Sequence, residues 1–317
     1  MELAILSTEY ALLVYIFSNP NWKKTHFVFC GRISEEQIRR MEVLGAKNVL
    51  AGMRWGDLIK QIQLYPRNSA KRQYLRIIKE YMRIKMQIRV IIFCALNHKK
   101  VHVFAQTDNS ISSLCHAYNF NLIEDGVFNY EKSLVKTGGG SLVPLSKNEF
   151  VKHVYLTGRL PIPKEIKNKV VLVDIKKRWK NFNNQERQEI IDLFHFDYDK
   201  LLDLVKNGRD KILLTQNFYR YGRCTVEEQV QIYREILSNY DIKEIIIKTH
   251  PEDEIDYQKY FPDCYLLKDK FPFELCYFTN LPLKKLISVN STSTYGLWDE
   301  KYVERHEEML ERLKDLS

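Results

Sequence analysis

Residues 242–252 read Ile242-Lys243-Glu244-Ile245-Ile246-Ile247 and then Lys248-Thr249-His250-Pro251-Glu252, and this stretch decides the fold. A short β-branched run that ends in a turn is typical of a central, buried parallel strand. Functional side chains of open α/β sheets collect at the carboxyl ends of such strands. We therefore expect His250 at a functional edge of a sheet, with Lys248 beside it as a fixed positive charge. Alone, a His-Pro pair would indicate only a histidine that hydrogen-bonds its own loop.

The composition is that of a globular protein with room for two domains. The chain has 317 residues, of which 45% are hydrophobic and 28% are charged, which is enough for two cores of ordinary size. No stretch approaches the roughly 18 consecutive apolar residues of a membrane-spanning helix. The N-terminus, with an acid at Glu2, is expected to form a first strand and not a signal peptide. We therefore expect a cytoplasmic protein, with peripheral attachment to the inner face of the plasma membrane as an open alternative.

The net charge of +9 indicates acidic partners. Anionic lipid headgroups, phosphate-bearing sugar donors and nucleic acid all carry suitable charge. No recognition-helix, zinc-finger or RNA-binding pattern is present, so we do not expect nucleic acid as a partner. The six cysteines form no C-x-x-C pair, and we expect them to be reduced and structural, without a zinc site.

Strand and helix signals alternate along both halves of the chain, which predicts two doubly wound α/β domains. The apolar runs that we interpret as strands are 3–6, 26–30, 48–50, 90–93 and 101–105 in the first half, and 170–173, 211–215, 244–248, 265–267 and 285–289 in the second. Capped helices are expected to begin at Ser34 and at Thr225, where Glu228 completes the spacing of a capping box.

Glycine and proline mark the boundary between the two halves. A glycine run occupies 137–141, and Leu160-Pro161-Ile162-Pro163 is a stiff, extended stretch, as is typical of linkers and domain boundaries. We predict an N-terminal domain over 1–156, a linker over 157–165 and a C-terminal domain over 166–317. A terminal helix is expected within 301–316.

Two doubly wound halves with a cleft between them are the architecture of many nucleotide-sugar transferases and of some dehydrogenases. No G-x-G-x-x-G follows a strand and no G-x-x-x-x-G-K-S/T phosphate loop is present, which argues against a dinucleotide or P-loop enzyme. Asp197-Tyr198-Asp199 has the D-x-D form of a metal motif, but it precedes a helical pattern. We interpret it as a helix cap, and expect no metal.

Three further polar clusters follow predicted strands. They are Glu124-Asp125-Gly126, Thr215-Gln216-Asn217 and Ser291-Thr292-Ser293-Thr294. Each has a simple structural alternative, namely a turn, a strand end or a helix N-cap. Together with His250 they could bind an anion, because a hydroxyl-rich loop that opens a helix attracts phosphate. Lys248 and His250 would add charge-assisted hydrogen bonds, and a carboxylate could act as an acid or base.

The sequence resembles the bacterial sialyltransferases of glycosyltransferase family 52, the type that includes lipooligosaccharide and streptococcal capsular α-2,3-sialyltransferases. The motifs that carry the resemblance are Glu124-Asp125-Gly126, His250-Pro251 and Ser291-Thr292-Ser293, together with Leu213-Leu214-Thr215-Gln216, Glu227-Glu228-Gln229 and Lys248-Thr249-His250-Pro251. The similarity is strongest from about 211 to 293. Ser-Thr-Ser stands where the family has a strict Ser-Ser pair.

The resemblance implies a GT-B-like α/β fold, with two Rossmann-like domains that face a central cleft. It implies an inverting, metal-independent enzyme without a cofactor, which moves sialic acid from CMP-sialic acid to the 3-hydroxyl of a terminal galactose. The acceptor would belong to a capsular or surface glycan, with a lipid-linked form as one candidate, and related enzymes suggest a homodimer. The residues implied to bind substrate are Gly126, Thr215, Gln216, Asn217, Lys248, Thr249, Pro251, Ser291, Thr292 and Ser293.

The same resemblance assigns catalytic roles. His250 would stabilise the departing phosphate more by electrostatics than by full proton donation. Asp125 fits the base by its position in the acidic motif, while Glu228 is the alternative base and has a competing role as a helix cap. Two other functions stay open, namely another GT-B nucleotide-sugar transferase or epimerase, and a non-catalytic module that binds a nucleotide or a glycan.

Residues 71–89 form a basic amphipathic pattern. Seven lysine and arginine residues alternate there with tyrosine, leucine, isoleucine and methionine. Such a helix could lie on an anionic membrane. The simpler interpretation is a core helix with a solvated basic face.

Overall fold

The structure is a computed structural model that describes residues 1–30, 33–46, 48–52, 62, 65–66, 69–97, 100–107, 109, 111–130, 134–136, 142–144 and 149–315. The chain divides into two compact units, residues 1–194 and 195–317. The glycine run 137–141 lies outside the described residues.

The first unit contains a parallel sheet with the strand order β3-β2-β1-β4-β5-β8-β9. Its strands are β1 Glu2–Leu6, β2 His26–Phe29, β3 Asn48–Gly52, β4 His102–Ala105, β5 Asn119–Ile123, β8 Val151–Leu156 and β9 Val170–Leu172, and a separate antiparallel pair is formed by β6 Leu134–Lys136 and β7 Leu142–Pro144. The order reverses its direction between β1 and β4, as expected for a doubly wound sheet. Leu3, Val103 and Leu122, from three neighbouring strands, are completely buried in its core.

The helices of the first unit are α1 Glu9–Ser18, α2 Glu35–Val43, α3 Ala70–Leu96, α4 Ile175–Asn181 and α5 Asn184–Leu193. The predicted cap at Ser34 is confirmed, since its hydroxyl accepts from the backbone N–H of Gln37 in a capping box. Residues 90–93 are helical within α3, so the predicted strand there is wrong. A run of four apolar residues does not distinguish a strand from a buried helical segment.

The second unit contains a parallel sheet with the order β12-β11-β10-β13-β14. Its strands are β10 Lys211–Leu214, β11 Ile245–Lys248, β12 Tyr265–Leu267, β13 Lys285–Ser288 and β14 Val303–Arg305, and its helices are α6 Tyr198–Lys206, α7 Val226–Leu237, α8 Glu274–Phe278 and α9 Glu308–Asp315. The isoleucine run of β11 is buried along its whole length, which confirms the central strand expected before His250. Met309 and Leu310 of α9 pack against the core of this unit. A helix was expected within 301–316, and the structure forms it only over Glu308–Asp315, after strand β14.

The division into units falls later in the chain than the predicted linker at 157–165. Strand β9 pairs in parallel with β8 of the first sheet, so the prediction that 170–173 opens the second domain is wrong. The helices that follow also belong to the first unit. Trp179 stacks on Phe17 of α1 with ring centroids 6.3 Å apart, and the guanidinium of Arg178 donates to the Phe17 carbonyl at 2.8 Å. The prolines at 161 and 163 therefore lie in a connection within the first unit and not at a boundary between units.

Two further predictions concern cysteines and membrane spans. All six cysteines are free, and four of them are buried. Among the described residues, no helix combines the length and the apolar character needed to cross a bilayer.

Candidate functional site

Three loops of the second unit leave the same edge of its sheet. Leu214 at the end of β10 lies opposite Lys248 of β11 on one side and Ser288 of β13 on the other. The strand order reverses its direction between β10 and β13, and ligands of open α/β sheets bind at such a switch point, beyond the carboxyl ends of the strands. The loops that follow the three strands contain the predicted residues of this unit, apart from Lys248, which ends β11, and Glu228.

A half-buried carboxylate, Asp253, joins the first two of these loops. The hydroxyl of Thr215 donates to Asp253 Oδ2 at 2.8 Å and accepts the backbone N–H of His250 at 3.0 Å. The hydroxyl of Tyr257 donates to the same carboxylate at 2.7 Å. Burial raises the pKa of Asp253 above its usual range, while these two hydroxyl bonds oppose the shift. The position of His250 is thus fixed through Thr215 by a residue that the sequence did not single out.

Helix α7 holds the 215–217 loop from the other side. The backbone N–H of Gln216 donates to the hydroxyl oxygen of Tyr233 at 2.7 Å. The side-chain amide of Gln229 donates to the Gln216 carbonyl at 2.7 Å. Asn217 is buried and donates to Glu252 at 3.3 Å. These hydrogen bonds fix the 215–217 loop at the edge of the sheet.

The imidazole of His250 is held in one tautomer. Its Nδ1 accepts the backbone N–H of Glu252 at 3.2 Å, so the neutral ring carries its proton on Nε2. His250 is half-buried, as is Thr249, while Pro251 is exposed. The ring is therefore arranged to donate a hydrogen bond from Nε2.

Lys248 is more enclosed than a free surface charge. The residue is 7% exposed, its ammonium donates to the Asp269 carbonyl at 3.2 Å, and it lies 4.2 Å from the centre of the Phe271 ring. The ammonium is thus positioned by a carbonyl and an aromatic face.

The hydroxyl cluster after β13 forms a single 3-10 turn over Thr292–Thr294. The cluster therefore opens one 3-10 turn and not the longer helix that we expected, since the next α-helix in the described chain begins at Glu308. The turn is held by Arg305, whose guanidinium donates to the Thr294 carbonyl at 2.6 Å and pairs with Glu300 at 2.6 Å. Ser291 is buried, and Thr292 and Ser293 are half-buried.

Ser288 adds a hydroxyl that the sequence reasoning missed. It ends β13, is completely buried, and has no hydrogen-bond partner for its Oγ among the described residues. Unpaired buried hydroxyls are uncommon, and functional sites are one place where they occur.

Glu228 is an N-terminal residue of α7. Its Oε2 accepts from both the N–H of Thr225 at 2.7 Å and the hydroxyl of Thr225 at 3.0 Å, while the Glu228 N–H donates back to Thr225. The predicted capping box is therefore confirmed. The D-x-D segment behaves in the same way, since Asp197 accepts from the Lys200 N–H at 3.0 Å and caps α6.

The acidic motif of the first unit follows β5, and its two carboxylates differ in environment. Glu124 is completely buried. It pairs with the guanidinium of Arg159 at 3.0 Å and accepts from Tyr130 at 2.7 Å, from the Thr157 N–H at 2.6 Å and from the hydroxyl of Tyr10. A carboxylate with this many partners organises the loops around it and is not available to react.

Asp125, unlike Glu124, is only half-buried. Its N–H donates to Asn129 at 2.7 Å, and its Oδ1 accepts from the side-chain amide of Gln106. The oxygen of that amide accepts from the Ser7 hydroxyl at 2.8 Å and from the Thr8 N–H at 3.1 Å. Gln106 is thus oriented with its NH2 toward Asp125.

Gly126 turns the chain after this carboxylate with a φ of +70°. Glycine adopts this left-handed conformation without the steric cost that other residues incur. This motif follows the end of β5, Gln106 follows the end of β4, and Ser7 follows the end of β1. The group therefore lies at the switch point of the first sheet.

The structure places the predicted residues in two groups, one in each unit. Asp125 and Gly126 lie at the edge of the first sheet, and the 215–217, 248–251 and 291–293 residues lie at the edge of the second. The residues that sequence reasoning missed are Gln106, Asp253, Tyr257, Ser288 and Arg305. No group of three metal-ligating side chains occurs among the residues that the structure describes.

Comparison with known proteins gives a family. The model of glycosyltransferase family 52 matches residues 63–305. An uncharacterized protein of Haemophilus influenzae is 32% identical over 187 residues, which are 58% of this chain and 60% of that protein. The chain therefore spans about three fifths of the length of this relative.

Solved structures share the fold at low sequence identity. A 2,6-sialyltransferase of a Photobacterium species, solved with CMP and lactose, has a TM-score of 0.58 at 12% identity and covers 96% of this chain and 70% of its own. An α-2,3-sialyltransferase of Photobacterium phosphoreum has a TM-score of 0.50 at 13% identity, with coverages of 96% and 90%. The UDP-GlcNAc 2-epimerase of Methanocaldococcus jannaschii has a TM-score of 0.52 at 13% identity, with coverages of 92% and 80%. The predicted α/β, GT-B-like fold class is confirmed.

We expect Asp253→Asn to change how stability depends on pH. An unfolded aspartate releases its proton near pH 3.9, whereas the raised pKa of Asp253 keeps the proton on the folded protein to higher pH. Between these two values the folded state binds more protons, so rising pH lowers the wild-type stability, by about 1.4 kcal/mol for each unit of pKa difference. The asparagine variant lacks this loss. Its stability relative to wild type should therefore rise as the pH increases from about 4 to 7.

Urea unfolding at a series of pH values measures this difference. Asp256→Asn, an exposed aspartate of the same segment, is the matched control. The raised pKa of Asp253 would be contradicted if the difference in stability between Asp253→Asn and wild type stayed constant as the pH rises. It would also be contradicted if wild type became the more stable of the two with rising pH.

Proposed function

We propose a sialyltransferase function for this chain, which belongs to glycosyltransferase family 52. The resemblance read from its motifs is confirmed at the level of the family. One observation supports the proposal beyond family membership. His250 and the 215–217 and 291–293 loops follow three neighbouring strands that end together at the switch point of the second sheet. The proposed donor is CMP-sialic acid, and the proposed acceptor is a galactose-terminated glycan.

In this proposal the second unit binds the donor nucleotide. His250 donates from Nε2 to a phosphate oxygen, because its Nδ1 is occupied by the Glu252 N–H. Hydroxyls of Ser291, Thr292 and Ser293 offer further hydrogen bonds to the phosphate, and Lys248 contributes positive charge from its enclosed position. A neutral imidazole suits this task, since CMP leaves as a weak base and needs charge stabilisation more than a full proton.

The transfer step replaces one bond at the anomeric carbon of sialic acid. The acceptor hydroxyl attacks that carbon and forms the new glycosidic bond, while the bond to CMP breaks and its electron pair leaves with the phosphate. Asp125 accepts the proton of the hydroxyl, and the configuration inverts. Gln106 donates to Asp125 Oδ1 and so orients the carboxylate. Gln106 is in this role a positioning residue.

The proposal includes metal independence, because no step requires a cation and the positive groups at the sheet edge supply the stabilisation. Attachment to the 3-hydroxyl of galactose, a capsular or surface glycan as acceptor, a cytoplasmic location and a homodimer are proposed on the family resemblance. The alternative is another nucleotide-sugar transferase or epimerase, which the fold shared with the UDP-GlcNAc 2-epimerase favours. A non-catalytic nucleotide- or glycan-binding module is the third possibility.

We expect the purified protein to sialylate a labelled lactoside from CMP-sialic acid in the presence of EDTA. Mass spectrometry should detect one added sialic acid per lactoside together with free CMP. His250→Ala should lower kcat by about 100-fold or more, as loss of a group that stabilises transition-state charge does. UDP-GlcNAc should be neither transferred nor epimerised.

Turnover of UDP-GlcNAc without sialyl transfer would establish the epimerase alternative. Absence of any turnover with retained nucleotide binding would establish a binding module. Activity lost in EDTA and restored by manganese would overturn metal independence.

The two candidate bases can be separated by a matched pair of variants. Asp125→Asn should lower kcat by about 100-fold or more while the KM for donor changes little, because a general base acts in the transition state. Glu228→Gln should retain both kcat and stability, since glutamine also completes a capping box. Steady-state kinetics and thermal unfolding of both variants measure the split. A large loss of kcat in Glu228→Gln with normal stability would instead assign the base to Glu228.

A further inference from the structure

Two buried cysteines of the first unit are in contact with each other. The Sγ atoms of Cys94 and Cys115 lie 4.0 Å apart, and the two residues are 2% and 0% exposed. Cys94 lies in the last turn of α3, and Cys115 ends a 3-10 turn over Ser112–Cys115. The contact therefore joins two separate elements, which are 21 positions apart along the chain at the two cysteines.

Packing alone can explain a buried cysteine, because a free thiol behaves as a small apolar side chain. Val90, Phe93 and Phe120 belong to the same apolar core as this pair. What distinguishes the pair is its geometry. A disulfide needs its sulfur atoms at about 2.05 Å, so an approach of about 2 Å would convert this contact into a bond. Rotation of the two side chains and a small shift of the 3-10 turn can supply that approach.

Both thiols lie close to the ends of their elements. Helix α3 ends at Leu96, which is 80% exposed, and Leu114, the neighbour of Cys115, is 38% exposed. Ends of helices open locally at a much lower free energy than the whole domain. A small oxidant such as hydrogen peroxide can therefore reach the pair without unfolding of the first unit.

The 3-10 turn is also tied to the loop that orients Asp125. The hydroxyl of Ser112 donates to the Thr107 carbonyl at 2.9 Å. Thr107 directly follows Gln106, whose side-chain amide donates to Asp125. A shift of the turn that carries Cys115 toward α3 therefore pulls on the residue that positions the proposed base.

We propose that Cys94 and Cys115 are a peroxide-sensitive thiol pair, and that their disulfide lowers the rate of transfer by displacing Gln106 from Asp125. The effect on the rate rests on the proposed function, whereas formation of the bond does not. A displacement of about 1 Å at a group that positions the chemistry can lower a rate by about 100-fold.

The oxidation proceeds in two steps. The thiolate of one cysteine attacks an oxygen of hydrogen peroxide, which forms a sulfenic acid and releases hydroxide. The second thiol then attacks the sulfenic sulfur, so that the S–S bond forms and the oxygen leaves as water. The two thiols thus lose two electrons and two protons in total, and the peroxide is reduced to two molecules of water.

Mapping of disulfides after treatment with hydrogen peroxide tests the bond on the full chain. The remaining thiols of the native protein are blocked with N-ethylmaleimide before digestion and mass spectrometry. We expect two of the six thiols to be lost and a peptide that contains Cys94 to be linked to one that contains Cys115. Dithiothreitol should restore both thiols. Oxidation without this link, or a link that forms only in urea, would overturn the proposal.

Steady-state kinetics of the oxidised protein test the effect of the bond. The kcat for transfer to a labelled lactoside should fall about tenfold or more, CMP binding should stay unchanged, and dithiothreitol should restore the rate. Cys94→Ala and Cys115→Ala should keep their kcat in peroxide. Cys264→Ala, which removes a buried cysteine of the second unit, is the matched control and should respond as wild type does.

Two results would refute the effect on the rate. One is a complete Cys94–Cys115 bond with an unchanged kcat, and the other is equal inactivation of Cys94→Ala and wild type by peroxide. Absence of transfer by the fully reduced wild type would instead contradict the proposed function, and the disulfide mapping would still decide whether the bond forms.

Discussion

The in-register parallel pairing of β10 with β11 and β13 is the constraint on which the candidate site depends. Because Leu214 lies opposite both Lys248 and Ser288, the three strands end at the same level, and their loops leave one edge together. A shift of one residue would turn each strand's side chains to the other face of the sheet and carry the buried isoleucines of β11 out of the core. Burial of β11 therefore fixes the position of His250 relative to the carboxyl edge of the sheet.

Each unit uses a hydrogen-bonded carboxylate to hold its loops, and a residue proposed to react lies beside it. Glu124 is completely buried and Asp253 is half-buried. In the second unit Asp253 joins Thr215 and thereby His250, and in the first unit Glu124 joins four other side chains. Burying a carboxylate is costly unless its oxygens are hydrogen-bonded, and here each one has several donors. These hydrogen bonds fix the loops, so that Asp125 and His250 keep defined orientations without being buried completely. This division of roles explains why only the second acid of the Glu-Asp-Gly motif suits a base.

Much of the fold could be predicted from the sequence, because its signals are local. The β11 run, the capping box from Thr225 to Glu228 and the cap at Asp197 depend on residues within one turn or one strand. The predictions failed where distant contacts decide. Residues 90–93 are apolar in either a strand or a helix, and β9 joins the first sheet because β8 offers it an edge. The partners Gln106 and Asp253 were missed for the same reason, since their importance arises from bonds to Asp125 and Thr215 across loops.

Binding of nucleotides by calorimetry tests the central claim most directly, because it asks whether the edge of the second sheet is a cytidylate site. The account predicts that CMP binds wild type and Asp125→Asn with equal affinity, that His250→Ala weakens CMP binding at least about tenfold through loss of a charge-assisted bond, and that UDP binds far more weakly than CMP. Equal binding of CMP and UDP, or an affinity for CMP that His250→Ala leaves unchanged, would contradict it.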